Sequence, residues 1–308
     1  MKKLMISMLA MAAMVSCTNE IENPDQPKVN GNEQVEIKAT AGVLGVETKA
    51  PIINGTKFTP AIVGWEGTAT PTTEAPAWNT TTSSDIEAGT DVSMPFKDKK
   101  YYNPDGITHT YICAFFPTGT ITSNIVSFTN TNADQDIILT NIVDAGVKPA
   151  GVATATTMTF SHKLTQLQFK VGGDASLATG TKIKSISLVK VTVPTGFNIV
   201  TGDLNGTESA TFTVPNLTES VIPTMNEDGT GASNAGDPIM IKPIGGTTFS
   251  INVVTDQGTF NNVTVTLAQA DTDGGISYNV TLTFKQKEIT AQGTVTAWTE
   301  KTGTGTVE

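Results

Sequence analysis

The chain contains no arginine. All nineteen basic residues are lysine, against twenty-nine acidic ones, for a net charge of −10. A negative chain without a basic cluster excludes nucleic acid as a partner, because phosphate recognition needs grouped Lys and Arg. It equally offers no polybasic patch for anionic lipid. Cysteine is confined to Cys17 and Cys113, and histidine to His109 and His162. The two histidines have no ligand spacing, and no H-E-x-x-H, G-x-S-x-G or phosphate loop occurs. Cys113 lies in the apolar run Tyr111–Phe116 and reads as a small buried hydrophobe. His162 shares a face with Phe160 and Leu164 and reads as a core histidine. Asp271-Thr272-Asp273-Gly274-Gly275 has the carboxylate spacing that opens a calcium loop, but lacks the later ligands and the closing Glu. It is expected to be a hairpin turn, and Asp134-Gln135-Asp136 a solvated loop. Glycoside hydrolysis needs two carboxylates facing each other, and nothing in the sequence singles out such a pair. Trp65, Trp78 and Trp298 are the rings able to stack on sugars, although Trp298 closes a strand and fits a domain edge. No catalytic residue, cofactor or metal is expected.

Long hydrophobic runs are also scarce. The one that exists is Leu4–Val15, preceded by Lys2 and Lys3 and followed by Ser16 and Cys17. Basic start, short apolar run and small residue make a secretory signal, about half the ~20 residues a spanning helix needs. Val15-Ser16-Cys17 resembles the bacterial lipobox, in which the cysteine is acylated and becomes the first residue. Acylation at Cys17 rules out a disulfide with Cys113. Two or more acyl chains hold firmly, at ~0.8 kcal/mol per buried CH2. Residues 17–31 are polar and acidic, with Pro24 and Pro27, and read as a tether.

Helical periods of ten residues or more are missing, apart from one short helical or turn element expected within Asp134–Ala145. Threonine makes up roughly one residue in six, a composition suited to half-exposed sheet. Val35, Ile37, Ala39 and Ala41 alternate with polar residues, as a half-buried strand does. Ile276–Phe284 alternates in the same way. Phe249, Ile251 and Val253 face Val263, Val265 and Leu267 across a turn at Asp256-Gln257-Gly258, a hairpin. Between Met158 and Val171 the apolar phase slips by one, which predicts a bulge near Thr165-Gln166. Short strands punctuated by Asn54-Gly55, Asp105-Gly106, Asn205-Gly206 and Asp228-Gly229 give an all-β sandwich fold.

Several stretches, in order, resemble the fimbrillin family of Bacteroidales type V pilus subunits. They are the lipobox at Cys17, Val35–Ala50, Phe58–Trp65 (FTPAIVGW) and Tyr111–Pro117 (YICAFFP). Asp134–Ala145, Met158–Val171 and Ile289–Trp298 (ITAQGTVTAW) follow. The resemblance implies two tandem transthyretin-like (Greek-key) β-sandwich domains, residues 32–155 and 156–308, after a signal peptide at 1–16 and the tether at 17–31. It implies a structural and adhesive fimbrial subunit, lipid-anchored to the outer membrane at least as a precursor and displayed at the cell surface. Its partners would be other fimbrial subunits, with a host or bacterial surface ligand beyond them.

The resemblance further implies assembly by donor-strand exchange. A protease removes the N-terminal strand, here Val35, Ile37, Ala39 and Ala41, by cutting between Lys49 and Ala50. The C-terminal strand of another subunit, with Ile289, Ala291, Val295 and Ala297 on its apolar face, then fills the groove, and Thr302–Val307 extends the pairing. Ile289 and Val295 contribute about 1.5–3 kcal/mol each by burial. Ladder hydrogen bonds add about 1 kcal/mol net apiece, against an association cost of at least several kcal/mol. Family members are matured by an Arg-specific protease, and Lys49 occupies the corresponding place here. If the strand is retained, the alternative is a non-polymerising surface lipoprotein that binds glycans or host ligands.

Overall fold

The computed structural model describes residues 34–43, 52, 55–88, 92–271, 274–286 and 289–297. They contain strands and turns and no α-helix, as the β-branched composition and the missing 3.6-residue period require. The described residues from Gln34 onward form one compact unit.

An eight-stranded sheet carries the first half. Its order is Trp78–Thr81, Ala61–Gly67, His109–Phe116, Ile138–Thr140, Thr156–His162, Ala39–Val43 and Val92–Met94, with Val143–Gly146 also on His109–Phe116. A ten-stranded sheet carries the second half. It runs Glu208–Thr213, Lys182–Thr192, Gly246–Thr255, Gly258–Asp271, Ile289–Ala297, Ile276–Phe284, Thr165–Gly173 and Ser233–Asn234, with Ser220–Val221 and Ile239–Ile241 beside this path. The hairpin Gly246–Thr255 with Gly258–Asp271 forms as predicted, with register shifts near Gly246/Thr248 and Ile251/Val253.

Three expectations are corrected. The slip between Met158 and Val171 is no bulge, because the chain leaves one sheet and enters the other. Thr156–His162 ends in the first sheet, Lys163 and Leu164 cross, and Thr165–Gly173 begins in the second. Met158 and Phe160 pack in one core and Leu167, Phe169 and Val171 in another, so the apolar phase changes. Asp134–Ala145 holds no helical element but the strands Ile138–Thr140 and Val143–Gly146, both paired to His109–Phe116. The residues after Asp271 do not close a hairpin either. Gly258–Asp271 and Ile276–Phe284 are held apart by Ile289–Ala297, which lies between them.

The two halves share a core. Gly196–Asn198, from the second half, pairs with Ile125–Ser127 in a four-stranded sheet that also holds Thr120–Thr122 and Leu204–Asn205. Phe197 and Ile199 from this hairpin are buried with Val63, Phe115, Val126 and Leu139. Backbone bonds Phe128 N–H to Thr195 O and Ile199 N–H to Asn124 O, both 2.9 Å, fasten the seam. At the crossover, Gly274 (φ +74°) comes so close to Lys163 that a Cβ would lie 2.3 Å from its carbonyl oxygen. Only glycine suits both the left-handed backbone and that approach.

Candidate assembly site

The segment from Gln34 to Val43 leads into an interior strand, Ala39–Val43. Its register runs parallel to Thr156–His162, from Ala39 opposite Thr156 to Val43 opposite Phe160. On the other side it is antiparallel to Val92–Met94, with Ala39 opposite Met94 and Ala41 opposite Val92. Its start is held by Tyr102 N–H donating to Val35 O (3.0 Å), Ile37 N–H to Lys100 O (2.9 Å) and Thr156 N–H to Lys38 O (2.8 Å). Ile37, Ala39 and Ala41 are fully buried among Met94, Met158 and Phe160, and Val35 is half-buried against the same cluster. The alternate residue Glu36 points outward, 3.0 Å from Lys99 Nζ, and its carboxylate raises the Lys99 pKa.

Ile289–Ala297 is interior as well. It pairs antiparallel with Ile276–Phe284 from Ile289 opposite Phe284 to Ala297 opposite Ile276. On its other side it is parallel to Gly258–Asp271, with Ala291 opposite Val265 and Gly293 opposite Leu267. Ile289 and Ala291 pack on the core that contains Leu282 and Phe284, and Val295 is in register with Tyr278. By its pairing, then, neither terminal strand is a sheet edge. Cys17, Lys49, Ala50, Trp298 and Thr302–Val307 lie outside the described residues.

The other singled-out residues have structural surroundings. Asp271 is fully buried; the Thr165 hydroxyl donates to its carboxylate at 2.7 Å and the Ile244 N–H at 2.8 Å. The carboxylate thus ties three chain segments together. Asp136, expected from sequence in a solvated loop, is instead buried with Oδ2 2.8 Å from His162 Nδ1. The signal lay in the apolar run Ile137-Ile138-Leu139 that follows it. Trp65 is buried and donates from Nε1 to Glu74 O at 2.8 Å. The Trp78 ring lies on Gly64, where a Cβ would sit 2.1 Å from Trp78 Cζ2, and Lys100 Nζ is 5.8 Å from the ring centroid. Both rings therefore make contacts within the chain, with Trp78 half-buried.

Cys113 is completely buried, and burial pushes its thiol up to about 12. The nucleophile is the thiolate, so native protein at pH 8 is expected to resist iodoacetamide and to react only when unfolded, as mass spectrometry would read. The sign for stability follows. Above the ~8.5 of a free thiol the unfolded chain ionises first, so stability falls as pH rises from there toward 12.

The described strands match a known family. Residues 34–298 match the fimbrillin-like family. Among solved structures, the chain is similar to a candidate cell adhesion protein of Bacteroides uniformis at 21% identity, covering 89% of this chain and 100% of that one, with a TM-score of 0.53. It is similar to one from Bacteroides ovatus at 15% identity, 87% and 99% coverage and a TM-score of 0.54. A third, from Parabacteroides distasonis, shares 8% identity over 86% and 97%, with a TM-score of 0.50. At such identities the likeness shows the fold alone. Among curated proteins, none matches the chain.

Proposed function

The chain belongs to the fimbrillin-like family, and on that premise we propose that it is a pilus subunit exported as a lipoprotein acylated at Cys17 and assembled by donor-strand exchange. Two sandwich domains, joined near residue 155, are part of this reading, with the second lending the Phe197 hairpin to the first. Maturation between Lys49 and Ala50 releases the segment that carries Val35, Ile37, Ala39 and Ala41. The strand Ile289–Ala297 of another subunit takes its place.

One observation carries the reading: the N-terminal strand is hydrogen-bonded on both sides and buried on its inner face. Losing an edge strand would trim a sheet. Losing this one opens a slot with two unpaired backbone rows, bordered by the apolar side chains of Met94, Met158 and Phe160. Unpaired buried backbone and exposed apolar surface both favour re-occupation by a strand.

The mature N-terminus tests the proposal. Surface material is expected to begin at Ala50, and Lys49→Gln is expected to leave full-length precursor and no polymer. Surface protein that retains acylated Cys17 throughout, with Lys49→Gln indistinguishable from the parent, would mean a fixed lipoprotein.

A further inference from the structure

A cleft of about 220 Å³ opens at the seam between the two halves, beside the crossover from one sheet to the other. It is lined by residues 70–71, which follow the strand Ala61–Gly67, by 139–142, by the crossover residue Lys163 and by 199–202. Backbone bonds fix its walls. Lys163 N–H donates to Ile137 O and Ile199 N–H to Asn124 O, both at 2.9 Å. The turn after Ile199 is held by Asn198, whose Oδ1 accepts from Val200 N–H (2.8 Å) and Thr201 N–H (3.1 Å). A site set by such bonds is formed before a ligand arrives, which limits the ordering cost of binding.

Among the described residues, Lys163 is the only cation lining the cleft. It is half-buried and has no carboxylate within ion-pair distance, whereas Lys99 and Lys182 each have one. Burial raises the Cys113 thiol pKa, and the Thr140 bond and the Lys163 charge oppose it, so the ammonium lies close to that thiol. Cys113 Sγ in turn donates to Thr140 O at 3.5 Å and to Ile199 O at 3.8 Å, carbonyls of two lining residues. A partly desolvated cation without a counter-charge is costly, and a ligand anion relieves that cost.

The rest of the lining narrows the choice of anion. Thr70 and Asn141 are exposed and make no side-chain hydrogen bond among the described residues. Ile142 and Val200 add aliphatic surface, and no aromatic ring lines the cleft. A neutral sugar would find no ring to stack on and would be held by hydroxyl contacts alone. A phosphate ester brings close to two charges to a single lysine, with the Asp203 carboxylate nearby, where it accepts from the Thr201 hydroxyl at 2.6 Å. A carboxylate needs one cation, and hydroxyls on the same small body would meet Thr70 and Asn141.

We propose that the seam cleft binds an acidic sugar, with Lys163 pairing its carboxylate and Thr70 and Asn141 meeting its hydroxyls. The cleft is smaller than the ~300–1,000 Å³ of a pocket for a drug-sized molecule, so it takes a single terminal ring. This inference goes beyond assembly and stands whether or not strands exchange, because neither terminal strand lines the cleft.

Ligand-observed NMR on the full-length protein tests it with glucuronate as the probe. Glucose is the neutral counterpart, and N-acetylaspartate presents a carboxylate on a peptide-like body. Glucuronate is expected to bind and glucose not. Lys163→Gln is expected to weaken glucuronate about tenfold or more, the loss of one charge-assisted hydrogen bond, and Lys163→Arg to restore most of it. Asn141→Trp, which plugs the cleft from an exposed position, is expected to abolish binding, and it keeps the test open if Lys163→Gln fails to fold. Glucose bound as well as glucuronate, or glucuronate binding unchanged by Lys163→Gln and Asn141→Trp, overturns the site. N-acetylaspartate bound in place of glucuronate overturns the sugar and makes the ligand an acidic peptide. Binding of neither acid overturns the proposal.

Discussion

Phe197→Ala is expected to destabilise the protein by about 3–5 kcal/mol, measured as a lowered urea midpoint. Phe197 is fully buried, and its ring meets Phe115 edge-on at 5.4 Å and 77°, with Phe128 6.2 Å away. No polar group is removed, so the cost is transfer plus cavity. The site can collapse little, since Val63 and Leu139 come from strands paired elsewhere and Val126 is held in register with Phe197. The effect should be felt in the first half of the chain although residue 197 belongs to the second. A chain ending at residue 155 loses Leu164, Phe197, Ile199 and Met240 from the same cluster, and with them Thr156–His162, the strand beside Ala39–Val43 in the first sheet. It is expected to be unfolded by circular dichroism. A folded 34–155 fragment with a cooperative transition would show that both the hairpin and Thr156–His162 are dispensable.

A chain ending at Glu288 is expected to lose both its oligomers and much of its stability. The deleted strand has nine paired positions on Ile276–Phe284 and three on Gly258–Asp271. Its removal uncovers Val265, Leu267, Tyr278, Val280 and Leu282, all buried in the whole chain. Half re-exposure of five such side chains amounts to roughly 4–8 kcal/mol, comparable with the whole stability of a domain. A synthetic peptide of residues 287–297 should restore part of the midpoint by refilling the gap, which separates a missing strand from a misfolded chain. Oligomers that survive the deletion unchanged would remove the donor role from this strand.

Much of the fold is legible from sequence because strands with one buried face write a period of two. Val35–Ala41, Ile276–Phe284 and the hairpin around Asp256-Gln257-Gly258 are readable for that reason. The scarcity of arginine, histidine and cysteine is equally direct, since no fold can supply a side chain the chain lacks. The slip at Met158–Val171 is visible, but its cause is not. A bulge and a change of sheet leave the same mark on the pattern, and only long-range pairing separates them. Asp136 reads as a loop residue because its partner His162 is twenty-six residues away.

For the two terminal strands, the sequence by itself determined the alternation of apolar with polar residues and that both ends carry small and branched apolar side chains. Tertiary structure decided that each strand is interior, with one parallel and one antiparallel neighbour. That distinction separates a trimmed edge from an open slot, and it cannot be read from periodicity. An edge strand and a central one with one solvated face show the same alternation; only the second neighbour, brought in from more than twenty-five residues away, makes the difference.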